Sequence, residues 1–280
     1  AVELDLQTQV VGDELHVDVA ITNAHTGHHV PTGVTVRNMI LLVQAWKQGD
    51  DPFIAPLAQS MGGTIHALGG VGDPTLGYYA GLPGVLFTKL IEDADGNAPT
   101  FFTDATGIIF DNRIPALATD SSSYRFALPL DGGTVHIRAK VLYRRAFRAL
   151  VDAKQWTQDG HGNPLEDVLP PHYGHLMEQA QQTVLTGPIG GACCEPGGVC
   201  TIRSEQDCVQ TANGIWFGVG TDCSDADAEG RPDLCESVEV IPAVSSWVKR
   251  ESVNATRFSN SSRNSFSGVS DLGSRNFQKF

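Results

Sequence analysis

Residues 1–22, "AVELDLQTQVVGDELHVDVAIT", decide the fold. Val2, Leu4 and Leu6 alternate with polar residues, and Leu15, Val17, Val19 and Ile21 do so again beyond the Gly12-Asp13 turn. A repeat of two turns successive side chains to opposite faces, so this stretch reads as a hairpin with one buried face. The same signal recurs downstream. "RNMILLVQAW" is apolar enough for a central strand, and "GVLFTKLIED", "GIIFDNRI" and "SYRFALPL" follow as further strands. In "TVHIRAKVLYRR", Val135, Ile137, Ala139, Val141 and Tyr143 share a face, which leaves His136 on the opposite one.

Short strands separated by Gly and Pro turns predict an all-β chain whose residues 1–150 form an Ig-like β-sandwich. The Gly- and Pro-rich stretch 52–84 is too long for a simple turn, and loops of that length commonly carry function. "RRAFRALVDAKQW" and "YGHLMEQAQQTVL" read as short helices, giving a helical connector over 151–190 that ends in the linker "TGPIGG". A small disulfide-rich C-terminal module (191–236) and a basic polar tail (237–280) complete the organisation.

Composition bounds the function. The chain has 280 residues, 41% hydrophobic and 18% charged, enough to bury a core. Its net charge of −13 excludes a nucleic-acid surface, which needs a basic stripe. Residues 249–280 hold six Lys or Arg against Glu251 and Asp271, so they carry +4 and leave −17 on residues 1–248. Such a tail can dock on an acidic body or remain solvated. No window reaches the roughly 20 apolar residues of a membrane span. The N-terminal residues lack the basic and apolar regions of a signal peptide, and a mature or processed chain is expected.

All six cysteines (Cys193, Cys194, Cys200, Cys208, Cys223 and Cys235) fall in the C-terminal module. Their spacing holds no C-x-x-C pair and no C-x-x-C-H, which argues against a zinc knuckle and against covalent haem attachment. Three disulfides in an oxidising compartment are expected, with connectivity left open.

Two segments invite metal chemistry. "AHTGHHVPTG" (24–33) packs His25, His28 and His29 between two strands. Imidazoles ligate zinc, copper and haem iron, although a turn beside Pro31 can equally hold hydrogen-bonded histidines. "DADAEGRPDLCE" (225–236) places Asp225, Asp227, Glu229, Asp233 and Glu236 at loop positions 1, 3, 5, 9 and 12. Gly230 stands at the sixth position and the Arg231 carbonyl at the seventh, a pattern that suits calcium. It is similar to an EF-hand loop and closer to thrombospondin-type-3 acidic repeats; the alternative is an acidic loop held by Cys223 and Cys235. "DADGN" (93–97) reads as a turn. His161, His172 and His175, with Glu166 and Asp167, are a further candidate metal group, although their spacing fixes no geometry. No G-x-S-x-G, P-loop or G-x-G-x-x-G occurs, so catalysis is not expected and a hydrolase ranks third.

"VAITNAHTGHHVPTGVTVRNMILLVQAW", with its N-x-x-x-G-H-x-x-P-T-G core, resembles a β-domain that accompanies bacterial multihaem c-type cytochromes. The resemblance runs through "HALGGVGDP", "YYAGLPGVLFTKLIED", "IIFDNRIPA", "YRFALPL" and "AKVLYRRAF", over residues 4–160. It implies packing against haem-bearing segments. This chain has no attachment motif of its own, so haem c would come through a partner chain, with His28, His29 or His66 (and His25 beside them) as candidate distal ligands. The other implication is a fold kept after the electron-transfer context was lost.

"GACCEPGGVC" onward resembles cysteine-rich repeats of secreted planctomycete-type surface proteins, which implies a structural role. "IPAVSSW" is similar to the start of an IPTL-type sorting signal, but the following residues are polar. Phe258, Phe266, Phe277 and Phe280 would let the tail add to a sheet edge or a neighbour. The expectation is a secreted, extracellular or cell-surface protein without catalytic activity: an accessory of a multihaem electron-transfer assembly. The alternative is a structural or adhesive surface protein that associates with copies of itself.

Overall fold

Each of the first two strands is long because the period-two pattern runs unbroken on both sides of Gly12, whose φ of +62° sets the turn. A computed structural model describes residues 1–224 and 232–236. In it β1 (Glu3–Val11) pairs with β2 (Glu14–Thr22) from Glu3 opposite Thr22 to Val11 opposite Glu14. The following strands are β3 (Asn38–Lys47), β4 (Gln59–Met61), β5 (Gly84–Phe87), β6 (Lys89–Glu92), β7 (Gly107–Asp111), β8 (Thr119–Ala127) and β9 (Gly133–Arg144). After α1 (Arg148–Ala153) come β10 (His175–Thr186), β11 (Gly190–Glu195), β12 (Val199–Ser204), β13 (Ile215–Trp216) and the one-turn α2 (Asp233–Glu236).

The chain is all-β, a sandwich of two four-stranded antiparallel sheets. Their orders are β1-β2-β8-β4 and β10-β9-β3-β5. Leu15, Val17, Val19, Ile21, Tyr124 and Phe126 on one inner face meet Met39, Leu41, Val43, Ile137, Ala139 and Val141 on the other. Interior strand β3 reads as continuously apolar because both its faces are covered. Ile40 and Leu42 point away from the inter-sheet core into a second one, with Ile65, Tyr79, Leu142, Phe147 and Val151. The segment between β3 and β5, together with α1, therefore folds over the outer face of the second sheet.

The expected helix over "YGHLMEQAQQTVL" is a strand. β10 pairs with β9 from His175 opposite Tyr143 to Thr186 opposite Gly133, with a bulge between Leu176 and Glu178. The helical connector is α1 and a 3₁₀ turn, Glu166–Val168. β10 also closes the sandwich laterally: Thr8 Oγ1 donates to Gln182 Oε1 (2.6 Å) and Gln182 Nε2 to the Leu6 carbonyl (2.6 Å).

In the C-terminal module three strands stand in the order β12-β11-β13, tied by disulfides Cys193–Cys208, Cys194–Cys235 and Cys200–Cys223. The module meets the sandwich where Ser204 Oγ donates to Asp13 Oδ2 (2.7 Å) and Gly190 N to the Leu130 carbonyl (2.8 Å). No described helix is long and apolar enough to cross a membrane. Of the loop expected to bind calcium, Asp225, Asp227, Glu229 and Arg231 lie outside the described residues, as do the side chains of Asp233 and Glu236. The basic tail and its phenylalanines lie outside them too.

Candidate functional site

The histidine loop is built on Asn23, fully buried at the end of β2. Its Nδ2 donates to the His28 carbonyl (2.7 Å) and the Ile114 carbonyl (3.1 Å), while Oδ1 accepts from Thr26 Oγ1 (2.6 Å). Val30 and Ile114 exchange backbone hydrogen bonds, both 2.9 Å, and close the loop's far side. Gly33 turns the chain with φ +93°, where a Cβ would come within 2.5 Å of Arg37 Nη1. The polar residues of "NAHTGHHVPTG" thus satisfy one another and hold an otherwise exposed turn in one shape.

The four candidate histidines differ in what their ring nitrogens do. His28 Nδ1 lies 3.0 Å from the His29 carbonyl. A carbonyl only accepts, so this bond requires a proton on Nδ1, and in the neutral ring it leaves the lone pair on Nε2. That is the arrangement of a metal-binding imidazole oriented by its second nitrogen. His66 is the reverse: its Nδ1 accepts from Leu68 N (3.2 Å) and caps the 3₁₀ turn Ala67–Gly69. A neutral His66 therefore keeps its proton on Nε2, and ligation there would break the cap or remove that proton. His25 Nε2 faces Glu3 Oε1 at 3.0 Å, an exposed pair. His29 is exposed beside His28.

These residues border one hairpin, β6–β7. The His66 ring meets Phe110 of β7 edge-on at 5.9 Å, and the histidine loop is bonded to Ile114 just beyond β7. The hairpin and its connecting loop expose Phe101, Phe102, Ile108 and Ile109, with Phe102 64% accessible. An exposed apolar strip beside ligand-competent histidines suits an interaction surface. Among the described residues, the metal-ligating types come together as a group of three only at Cys194, Cys200 and Cys235, whose sulfurs are in disulfides. Among the described residues the histidine loop belongs to no such group.

The second histidine cluster is dispersed. His175 Nδ1 faces Glu166 Oε2 at 3.1 Å on the surface. Buried Asp167 accepts from Arg145 N, and burial raises its pKa against the pull of that bond. His161 lies in a loop where Asp159 Oδ1 accepts from His161 N and Asn163 N. "DADGN" is the same device, with Asp93 Oδ1 accepting from Asp95 N and Asn97 N. The Asn97 side-chain amide and then these backbone bonds hold Asp93 below the usual carboxylate range, and the Asn163 backbone and side-chain amides do so for Asp159. The D-x-x-G-N spacing shared by 93–97 and 159–163 was a readable signal for this turn.

Sequence reasoning missed Arg144. Buried within the second core, it donates from Nε to the Tyr173 carbonyl (2.7 Å), from Nη1 to that of Gly69 (2.8 Å) and from Nη2 to that of Gly77 (2.6 Å). Gly77 has φ +84°, and its Cβ would stand 2.3 Å from Tyr173 Cβ. Arg144 so fixes the segment that carries His66.

A scan against models of protein families finds no match, and neither does a search of curated proteins. Among solved structures the chain is similar to a penta-heme cytochrome c552 from Thermochromatium tepidum, at 20% identity and a TM-score of 0.44. The similarity covers 65% of this chain and 39% of that one, so the chain spans about two fifths of that cytochrome's length.

Proposed function

We propose that this protein is a non-catalytic accessory of an extracellular multihaem cytochrome assembly, and that His28 offers its Nε2 to a haem iron of the partner. The observation that carries the reading is the 3.0 Å contact of His28 Nδ1 with the His29 carbonyl, within a loop that Asn23 holds from below. Any haem belongs to the partner; this chain supplies an oriented imidazole and an apolar strip, Phe102, Ile108 and Ile109, to bury against it. The N-x-x-x-G-H-x-x-P-T-G resemblance supports the reading, since its Asn and His fall on Asn23 and His28. Three disulfides support an oxidising, extracellular setting.

The test is an absorption spectrum of the protein isolated from its source with its native partners, before and after dithionite. A Soret band with sharp reduced α and β bands is expected. In a strain carrying His28→Ala the low-spin signature of the capped iron should be lost, while His66→Ala should retain it. A preparation with no visible absorption, or a spectrum that His28→Ala leaves unchanged, overturns the reading.

A further inference from the structure

Strand alternation sorts the cysteines of the small module onto two faces of β11. Cys193 and Cys194 are neighbours in that strand, so their side chains leave it on opposite sides. Cys193 bonds to Cys208, both fully buried, and a Cβ on Gly214 would stand 2.7 Å from the Cys193 sulfur. Backbone closes over that bridge. On the other face Cys194 stands directly opposite Cys200 of β12. These two are nevertheless bonded elsewhere, Cys194 to Cys235 of α2 and Cys200 to Cys223. The sulfurs of Cys194, Cys200 and Cys235 all lie within 4.8 Å of one another.

Two disulfides therefore share one small space, and they differ in access. Cys194 and Cys235 are 0% and 1% exposed. Cys200 and Cys223 are each half-buried, so a dissolved thiol meets their bridge first. A thiolate exchanges with a disulfide by attacking one sulfur and expelling the other. Directly opposed strand positions stand about 4.5–5.5 Å apart at Cα, inside the range a disulfide spans, so Cys194 and Cys200 need no strand movement to bond.

We infer that the module is a thiol-exchange switch, in which Cys200 relays an attack on the accessible bridge to the buried one and frees Cys235. A low-molecular-weight thiolate attacks the Cys223 sulfur, forms a mixed disulfide there and expels Cys200 as a thiolate. Cys200 then attacks the Cys194 sulfur. The Cys194–Cys200 bond forms, the Cys194–Cys235 bond breaks, and Cys235 leaves as a thiolate that takes a proton from water. One external thiol is consumed and one internal thiol appears, so the exchange balances without an oxidant. α2, which carries Cys235 and packs on β11, loses its covalent hold while Cys193–Cys208 stays closed.

The test is a timed exposure of the intact protein to reduced glutathione at mildly alkaline pH, quenched with N-ethylmaleimide. Full reduction and a second, isotopically heavy maleimide follow, and tandem mass spectrometry reads which cysteine was free at the quench. Cys235 should take the first label ahead of Cys200 and Cys223, and the unreduced sample should carry glutathione on Cys223. Cys193 and Cys208 should take only the second label. First label on Cys200 or Cys223 ahead of Cys235 overturns the inference, as does a chain that glutathione leaves unlabelled. In the double variant Cys200→Ser, Cys223→Ser the relay is gone, and Cys235 should stay unlabelled through the exposure that frees it in the wild type. Labelling there at the wild-type rate overturns the inference equally. Should that variant not fold, the order of labelling in the wild type decides alone. The switch shares no residue with the histidine loop, so its failure leaves the His28 reading untouched.

Discussion

The Arg144 guanidinium lies 5.0 Å from the centre of the Tyr79 ring while each of its three nitrogens donates to a different backbone carbonyl. Burial pushes the group down to about 10 without discharging it at neutral pH. The contact is therefore a charged clamp that ties two points of the β4–β5 connection to the turn before β10. Lysine, a point donor on a flexible stem, cannot reproduce that fork.

Arg144→Met should destabilise the chain by about 3–5 kcal/mol, the range for breaking a buried charged network, since it leaves three carbonyls unpaired. Arg144→Lys should recover only part of that loss. Urea unfolding followed by far-UV circular dichroism measures both, and hydrogen exchange at residues 64–82 should accelerate in both variants.

Asn23→Ala should cost about 2–3 kcal/mol, because the His28 and Ile114 carbonyls lose their donor in a buried place. The histidine loop should loosen while both sheets persist. Backbone amide NMR would show it as line broadening confined to residues 24–33. Unchanged spectra there would mean that Asn23 does not hold the loop.

Lys140 gives a pH dependence with a defined sign. Its folded pKa of about 8 lies below the ordinary lysine value of 10.5, so between those limits the unfolded chain binds more protons than the native one. Stability from this group therefore rises as pH climbs through that window and is lowest below it, where the partly buried charge is present in the folded chain. Lys140→Met should raise stability at pH 7 in chloride buffer and flatten the difference between pH 8 and 10.5. Paired denaturant curves of wild type and variant check this.

Reduction should melt the small module and spare the sandwich. The three bridges span 15, 41 and 23 residues, each worth about 3–4 kcal/mol by loop-closure entropy. Four of the bridged cysteines, Cys193, Cys194, Cys208 and Cys235, lie in the module's buried interior. After dithiothreitol, hydrogen exchange should rise sharply in residues 190–223 and stay protected in β2, β3 and β9.

The hairpin β1–β2 and the central strand β3 were legible because burial on one face, or on both, writes a pattern that a single strand can show. β10 was not. "HLMEQAQQTVLT" is rich in Leu, Met, Glu, Gln and Ala, which favour helix, and Leu176, Ala180 and Val184 recur every four residues. What makes it a strand is remote: the open edge of β9, whose Ala139 faces Ala180, and Gln182 bonding to β1. Tertiary partners override local preference there. The histidine loop was legible as a candidate site, but the choice among its members was not. It depends on whether Nδ1 meets a carbonyl, as in His28, or an amide, as in His66. The burial of Lys140 left no trace, since alternation along β9 predicts a solvated face and gives no hint that the segment between β3 and β5 covers it.

The link from Gln182 to β1 also bears on what happens when many copies meet. Strand edges template the addition of further chains, and here β1 and β10 occupy each other's flank. On the opposite flank the sheets end in β4, three residues long, and β5, four residues long. Pro56 and Pro83, which have no amide proton to give, take the isolated bridge positions opposite Trp46 and Thr64. A second sandwich arriving at either of these two flanks finds little backbone to copy, which leaves side-chain surfaces to govern how copies meet there.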